Sequence, residues 1–214
     1  MRTIDMRTWP RREHFKVYSA FDHPHFSMCA HVDLTAFHPY IRERQISFTL
    51  AIVYVIARAA NAIPEFRYRM RPGVVVEHEI VHPSTTILAS EDLFSFCTMD
   101  YIEEFSLFAP KAAERIARAQ EQATLEDEPE RDDLLFMTAI PWVTFTSFTH
   151  PMHLDPSDSI PRFAWGKFFE DGECLKMPLD VQGHHALMDG IHMGKFYAEV
   201  QSYLHQPEVV LGGV

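Results

Sequence analysis

Apolar residues recur along this chain in two rhythms. From Ser47 to Ile63 the residues Leu50, Val53, Tyr54, Ala57 and Ala60 follow steps of three and four, which predicts a helix that Pro64 ends. Asp100 to about Gln122, rich in Ala, Glu, Arg and Gln, predicts a second long helix, and the amphipathic run Ile191 to Tyr203 a third. Thr35 to Arg42 reads as a short helix. Elsewhere the apolar runs are short and rich in strand formers. Residues 13–33 read as an opening strand, a turn at Asp22-His23-Pro24-His25, and a second strand through Met28, Ala30 and Val32. Phe66 to Met70 and Val74 to Glu77 flank Arg71-Pro72-Gly73, a hairpin signal. Further strands are predicted at Ser84–Ala89, Leu93–Thr98, Leu134–Ala139, Val143–Phe148, Arg162–Phe169 and Glu173–Gln182, with an acidic surface loop from Glu126 to Asp133.

Strands and helices do not alternate as repeated βαβ units. The expected class is therefore α+β: a mixed β-sheet layered with helices, a two-layer sandwich. No internal repeat or linker is visible, so residues 1–214 read as a single domain with length enough for a sizeable core.

Composition narrows the partners. The formal net charge of −11 argues against nucleic acid and against an anionic membrane surface. The longest apolar run, Leu50 to Ile56, is far too short to span a bilayer, and Met1 to Asp5 carries no secretory apolar region. Cys29, Cys97 and Cys174 are scattered, odd in number and outside any CxxC pattern. Such cysteines suit a reducing, cytoplasmic setting.

The candidate chemistry lies near the C-terminus. His184-His185-Ala186-Leu187-Met188-Asp189-Gly190 follows a strand-forming run, Met177 to Val181, and precedes the amphipathic run. A histidine at the mouth of a strand-turn-helix unit is placed to deprotonate a hydroxyl or thiol. His184, His185, Asp189 and His192 also offer metal ligands, which raises a metal-dependent hydrolase as the competing class. Adjacent histidines point to different sides, and no HExxH motif is present, so no metal is expected.

The block from Pro178 to His192, read in order and spacing, resembles the signature of the chloramphenicol acetyltransferases. Three more blocks carry the resemblance: Trp9 to Phe15, Asn61 to Arg67 and Thr138 to Val143. Together they span about Trp9 to Tyr203. The HHxxxDG pattern alone is shared with dihydrolipoyl acyltransferases; the four blocks in order are more specific. The resemblance implies a cytosolic homotrimer with active sites at subunit interfaces, using acetyl-CoA as co-substrate to acetylate chloramphenicol.

It also implies roles. His185 matches the catalytic base, Asp189 a supporting carboxylate, Arg11 the arginine that pairs with it, and Thr138 a serine whose hydroxyl steadies an oxyanion. Trp142, Lys167 and Phe168 match positions beside the pantetheine, phosphate and adenine of the cofactor. Tyr18, Phe26, Phe94, Leu125, Phe148, His150 and Ala164 fall at acceptor-pocket positions. Several of these depart from the family pattern. Ala164 replaces a threonine, Leu125 a phenylalanine, His150 a leucine and Pro24 a cysteine. The departures leave two alternatives open: the same chemistry on a different alcohol, or a non-catalytic trimeric binding protein on this scaffold.

Overall fold

A computed structural model describes residues 1–89, 92–121, 125, 131–154 and 158–212. Its elements in chain order are β1 (Arg2–Thr3), α1 (Arg12–Tyr18), β2 (His25–Asp33), α2 (Phe37–Glu43), α3 (Phe48–Asn61), a 3-10 turn (Pro64–Arg67), β3 (Tyr68–Arg71), β4 (Val74–Glu77), β5 (His82–Leu88), β6 (Phe94–Thr98), α4 (Phe105–Glu121), β7 (Leu134–Ile140), β8 (Arg162–Gly166), β9 (Phe169–Asp171), β10 (Cys174–His184), α5 (Gly190–His205) and α6 (Pro207–Leu211). The large sheet runs β2-β10-β8-β7-β5-β6, with β9 also paired to β10. Its pairs are antiparallel except β5–β7 and β7–β8, which are parallel. Parallel entry of β7 beside β5 needs a long crossover, and α4 lies within it. A small sheet, β1-β4-β3, sits apart. Mixed sheets layered with helices make this an α+β structure.

Register sorts the large sheet into two unlike faces. Met137, Phe163, Val181 and Leu179 point one way and are each no more than 2% exposed. They join α3 and α5 in the main core, where Phe66 packs 5.1 Å from Phe196 and 6.0 Å from Phe163. Fully burying a side chain of this kind contributes about 1.5–3 kcal/mol. α3 is buried almost all round, from Leu50 to Ala57 and at Ala59 and Ala60, because it packs against α4, α5 and the sheet at once. Its N-cap, Ser47, accepts from the Leu50 amide.

The opposite face carries Ser27, Asp180, Gln182, Arg162, Ala164 and Thr138. These polar residues are covered by irregular chain between β7 and β8, where His150 and Phe148 lie.

Three local expectations change. Residues 12–18 form a helix, not an opening strand. Helical spacing puts Arg11, Phe15 and Tyr18 on one stripe, with Phe15 on Trp9 and Tyr18 on His185, and these contacts outweigh the apparent alternation at Phe15 and Val17. Residues 143–148 pair with no strand in the described structure; Val143 is instead tied to the β8 end, its carbonyl accepting from the Lys167 amide at 2.9 Å. The run from Arg162 to Phe169 breaks into β8 and β9. Most of the expected acidic loop, residues 126–130, lies outside the described residues.

The polar face stores acid sensitivity. Burial pushes the His184 and His150 imidazoles down to about 4, with Arg162 adding to the effect on His150. An unfolded imidazole titrates near 6.5, so between those values the unfolded chain binds more protons and stability falls as pH falls. Asp180, pushed up to about 6 by burial, opposes this below pH 6. The two imidazoles outweigh the single carboxyl, and urea unfolding from pH 7 to pH 4.5 is expected to show a net loss of the order of 3 kcal/mol. His184→Gln should flatten that slope.

Candidate active site

β10 and β2 pair down to His184 and His25, and the chain then turns sharply. The His185 amide donates to the Pro24 carbonyl at 2.8 Å, and the amides of Leu187 and Met188 return to the His184 carbonyl. Gly183 permits the turn: a Cβ there would stand 2.2 Å from the Met188 sulfur, which folds back on the strand. Strand alternation then separates the two histidines. His184 is 1% exposed, whereas the His185 side chain keeps 31% of its surface open.

Around His185 the structure gathers four of the sequence-predicted residues. Its ring lies flat on Tyr18, with centroids 3.8 Å apart and planes 5° apart, and tilts against Phe26 at 4.7 Å. Asp189 Oδ1 stands 3.2 Å from Nδ1, although Nδ1 is buried and not hydrogen-bonded. Nε2 is thus the nitrogen left for a reactant. Asp189 is held by Arg11 through both oxygens: Nη1 donates to Oδ2, and Nη2 to Oδ1 at 3.0 Å. The same Nη2 reaches the His185 carbonyl at 3.3 Å. Hydrogen bonding to Arg11 holds the Asp189 carboxyl below the usual carboxylate range.

His192 adds a lock. It sits three residues into α5, and its Nδ1 accepts the Asp189 amide at 2.8 Å while Nε2 faces Glu65 at 3.4 Å. That accepting Nδ1 assigns the proton to Nε2. The spacing Asp-x-x-His at a helix start is the sequence signal for this lock.

A second group of predicted residues lies elsewhere in the subunit. A cavity of about 650 Å³ is lined by Thr138, Phe94, His150, Phe96, Phe136 and Arg162, among others. Thr138 stands opposite Ala164 across the parallel pair β7–β8. A smaller cavity of about 320 Å³ is walled by His23, His25, Ser27, Gln182, Met152 and again His150. His150 and Met152 border both cavities. Phe148 packs edge-on against His150 at 4.8 Å. His185, Tyr18 and Phe26 line neither cavity, and neither does Leu125, which is 59% exposed. The structure thus does not bring His185 and Thr138 to one cavity within the subunit.

The predicted cofactor residues form a third group. Trp142 is 69% exposed. The Val143–Lys167 backbone bond sets its loop beside the exposed Lys167. Phe168 packs against His38 at 5.1 Å and Phe48 at 5.8 Å. Two part-exposed aromatic rings near an exposed ammonium suit a ligand with a flat ring and phosphates. Among the described residues, no three His, Cys, Asp or Glu side chains converge as metal ligands.

Sequence reading passed over Asp180 and His25, both in the polar face. The signal at Asp180 was a carboxylate inside the apolar run Met177 to Val181.

Comparison with known proteins places this arrangement. The family model for chloramphenicol acetyltransferase matches residues 1–201. A chloramphenicol acetyltransferase of Klebsiella sp is 31% identical over 202 residues, covering 94% of this chain and 92% of the relative. A chloramphenicol acetyltransferase of Bacillus pumilus is 32% identical over 189 residues, covering 87% of this chain and 86% of its own. A solved chloramphenicol acetyltransferase superposes with a TM-score of 0.88 at 29% identity, covering 95% of this chain and 99% of that one. The catalytic core of a 2-oxoacid dehydrogenase complex from Thermoplasma acidophilum shares the fold at 15% identity and a TM-score of 0.68. Matched by the family model over residues 1–201 and by relatives along most of its length, the chain belongs to the chloramphenicol acetyltransferase family and is an acyltransferase.

Proposed function

We propose that residues 1–214 act as one acyltransferase domain that moves an acetyl group from acetyl-CoA to a hydroxyl of chloramphenicol, as a cytoplasmic homotrimer. One observation carries this reading: a part-open imidazole whose Nδ1 is buried against an arginine-clamped carboxylate.

Only the neutral ring can accept a proton. Nε2 of His185 takes the proton of the acceptor hydroxyl as the oxygen attacks the thioester carbonyl. The carbonyl oxygen gains charge, and the Thr138 hydroxyl donates to it. The carbon–sulfur bond then breaks, and the imidazolium returns its proton to the departing thiolate. Tyr18 fixes the ring by stacking and Arg11 fixes the turn that carries it. Trp142, Lys167 and Phe168 receive the cofactor.

The separation of His185 from the Thr138 cavity supports assembly. If both act on one acetyl group, they come from different subunits, as an interfacial site requires. One observation favours a second acceptor in place of chloramphenicol: the cavity wall carries the polar ring of His150.

Acetyl-CoA and chloramphenicol should release free thiol, followed with a thiol reagent. His185→Ala should lower kcat by about 10²–10⁴-fold at unchanged fold. Mixed oligomers refolded from His185→Ala and Thr138→Ala subunits should regain activity that neither variant has alone; no recovery removes the interfacial site. Arg11→Ala should cost about 2–3 kcal/mol of stability at pH 7, by leaving Asp189 unpaired, and lower kcat with it. Because pairing depresses the Asp189 pKa, the wild-type advantage is full above the ordinary carboxylate range. It should vanish as pH falls through the depressed value, which paired urea titrations would show.

A further inference from the structure

Two buried side chains at the polar face of the large sheet face one another with a hydrogen bond unmade. They are His150, whose Nε2 has no hydrogen-bond partner, and Asp180, whose carboxylate is approached by the Phe148 backbone amide. His150 is 8% exposed and Asp180 is 1% exposed. Nε2 stands 3.9 Å from Asp180 Oδ1, longer than a hydrogen bond by about an ångström. A buried nitrogen without a partner is costly, so its place at a cavity wall calls for a function.

Asp180 sits midway along β10, in register with Cys29 on β2 and Ala164 on β8, and Ala164 is in register with Thr138 on β7. Asp180 and Thr138 therefore share one cross-strand row on one face of the sheet. The cation on that face, Arg162, is committed elsewhere. It donates to Asp158 and to the Ile160 carbonyl and stacks over Phe136. Tyr197, from α5, spends its hydroxyl on the carbonyls of Met28 and Leu179. Asp180, approached by the Phe148 backbone amide, faces His150.

A neutral imidazole has one N–H and one lone pair. A carboxylate opposite Nε2 draws the proton to that nitrogen, which leaves Nδ1 as an acceptor. The ring itself borders both cavities, and the larger one carries Phe94, Phe96 and Phe136 on its wall beside polar residues that include Thr138, Asp158 and Arg162. An aromatic ligand fits that wall, and an acceptor nitrogen rewards a ligand that brings a donor.

We propose that His150, polarised by Asp180 behind it, determines acceptor specificity, and selects aromatic alcohols that carry a second hydrogen-bond donor, a hydroxyl or an ammonium. Asp180 is a positioning residue that acts through His150. The proposal rests on the reading that the cavity around Thr138 receives the acceptor alcohol.

The test uses a pair of alcohols differing by one donor, 3-phenylpropane-1,2-diol and 3-phenylpropan-1-ol. Binding of each to the full chain is measured by calorimetry without acetyl-CoA, and KM and kcat are measured with it. The diol should bind roughly tenfold more tightly than the monohydric alcohol, with the same ratio in KM. His150→Leu and Asp180→Ala should each bring that ratio to about one, and the double variant should go no further. Asp180→Asn keeps an oxygen opposite Nε2 and should retain most of the ratio. If Asp180→Ala does not fold, His150→Leu and Asp180→Asn decide. A wild-type ratio near one, or a ratio that survives His150→Leu, overturns the proposal. An Asp180→Ala that weakens both alcohols equally removes Asp180 from it. If no alcohol releases thiol while the binding ratio holds, acetyl transfer falls and the selection by His150 stands.

Discussion

A guanidinium and a carboxylate 178 residues apart hold this site together. Arg11 stands at the start of a seven-residue helix with no buried residue of its own, and Asp189 stands at the start of α5. Without their bidentate contact little would tie α1 to the turn after β10. Tyr18, two turns along the same helical stripe, would lose its registry against the His185 ring. The clamp also binds the His185 carbonyl, so one side chain sets both the backbone and the carboxylate beside the imidazole. Bidentate geometry matters here because a single contact would leave the turn free to rotate.

The large sheet divides the labour by face. Its apolar face buries α3 and α5 in a core with Phe163, Met137 and Leu179, and that burial dominates the stability. Its polar face cannot be covered by an apolar helix without stranding Asp180, Gln182 and Arg162. Irregular chain covers it instead, leaving cavities at Thr138 and His25. On the proposed reading, His185 as base and Thr138 as oxyanion donor lie on different parts of this architecture, and a neighbouring subunit would bring the complementary half. The same polar face holds three imidazoles with depressed pKa values, His25, His150 and His184, and a carboxyl with a raised one, so its ionisation is tied to folding.

The ordering of elements, the α+β class and the long helix α3 were legible in the sequence, because hydrophobic periodicity reports local geometry directly. The motif from His184 to Gly190 was legible too, since its residue types and spacing describe one short turn. α1 differs from the strand that its pattern suggests: over seven residues Phe15 and Val17 alternate, and what decides for a helix is contact with Trp9 and with His185, the latter far away in sequence. Residues 143–148 differ from their pattern for the same reason. A strand needs a ladder of partners, and the bond described for this run is the single one from the Lys167 amide to the Val143 carbonyl.

By itself, then, the sequence determined the apolar faces and the turn that presents His185, each a matter of residues within one or two turns of each other. Only the tertiary structure decided that His192 locks Asp189, that His150 faces Asp180 across an unmade hydrogen bond, and that Thr138 lies away from His185. Those facts depend on strand order and register, which bring together residues whose spacing along the chain carries no trace of their distance in space.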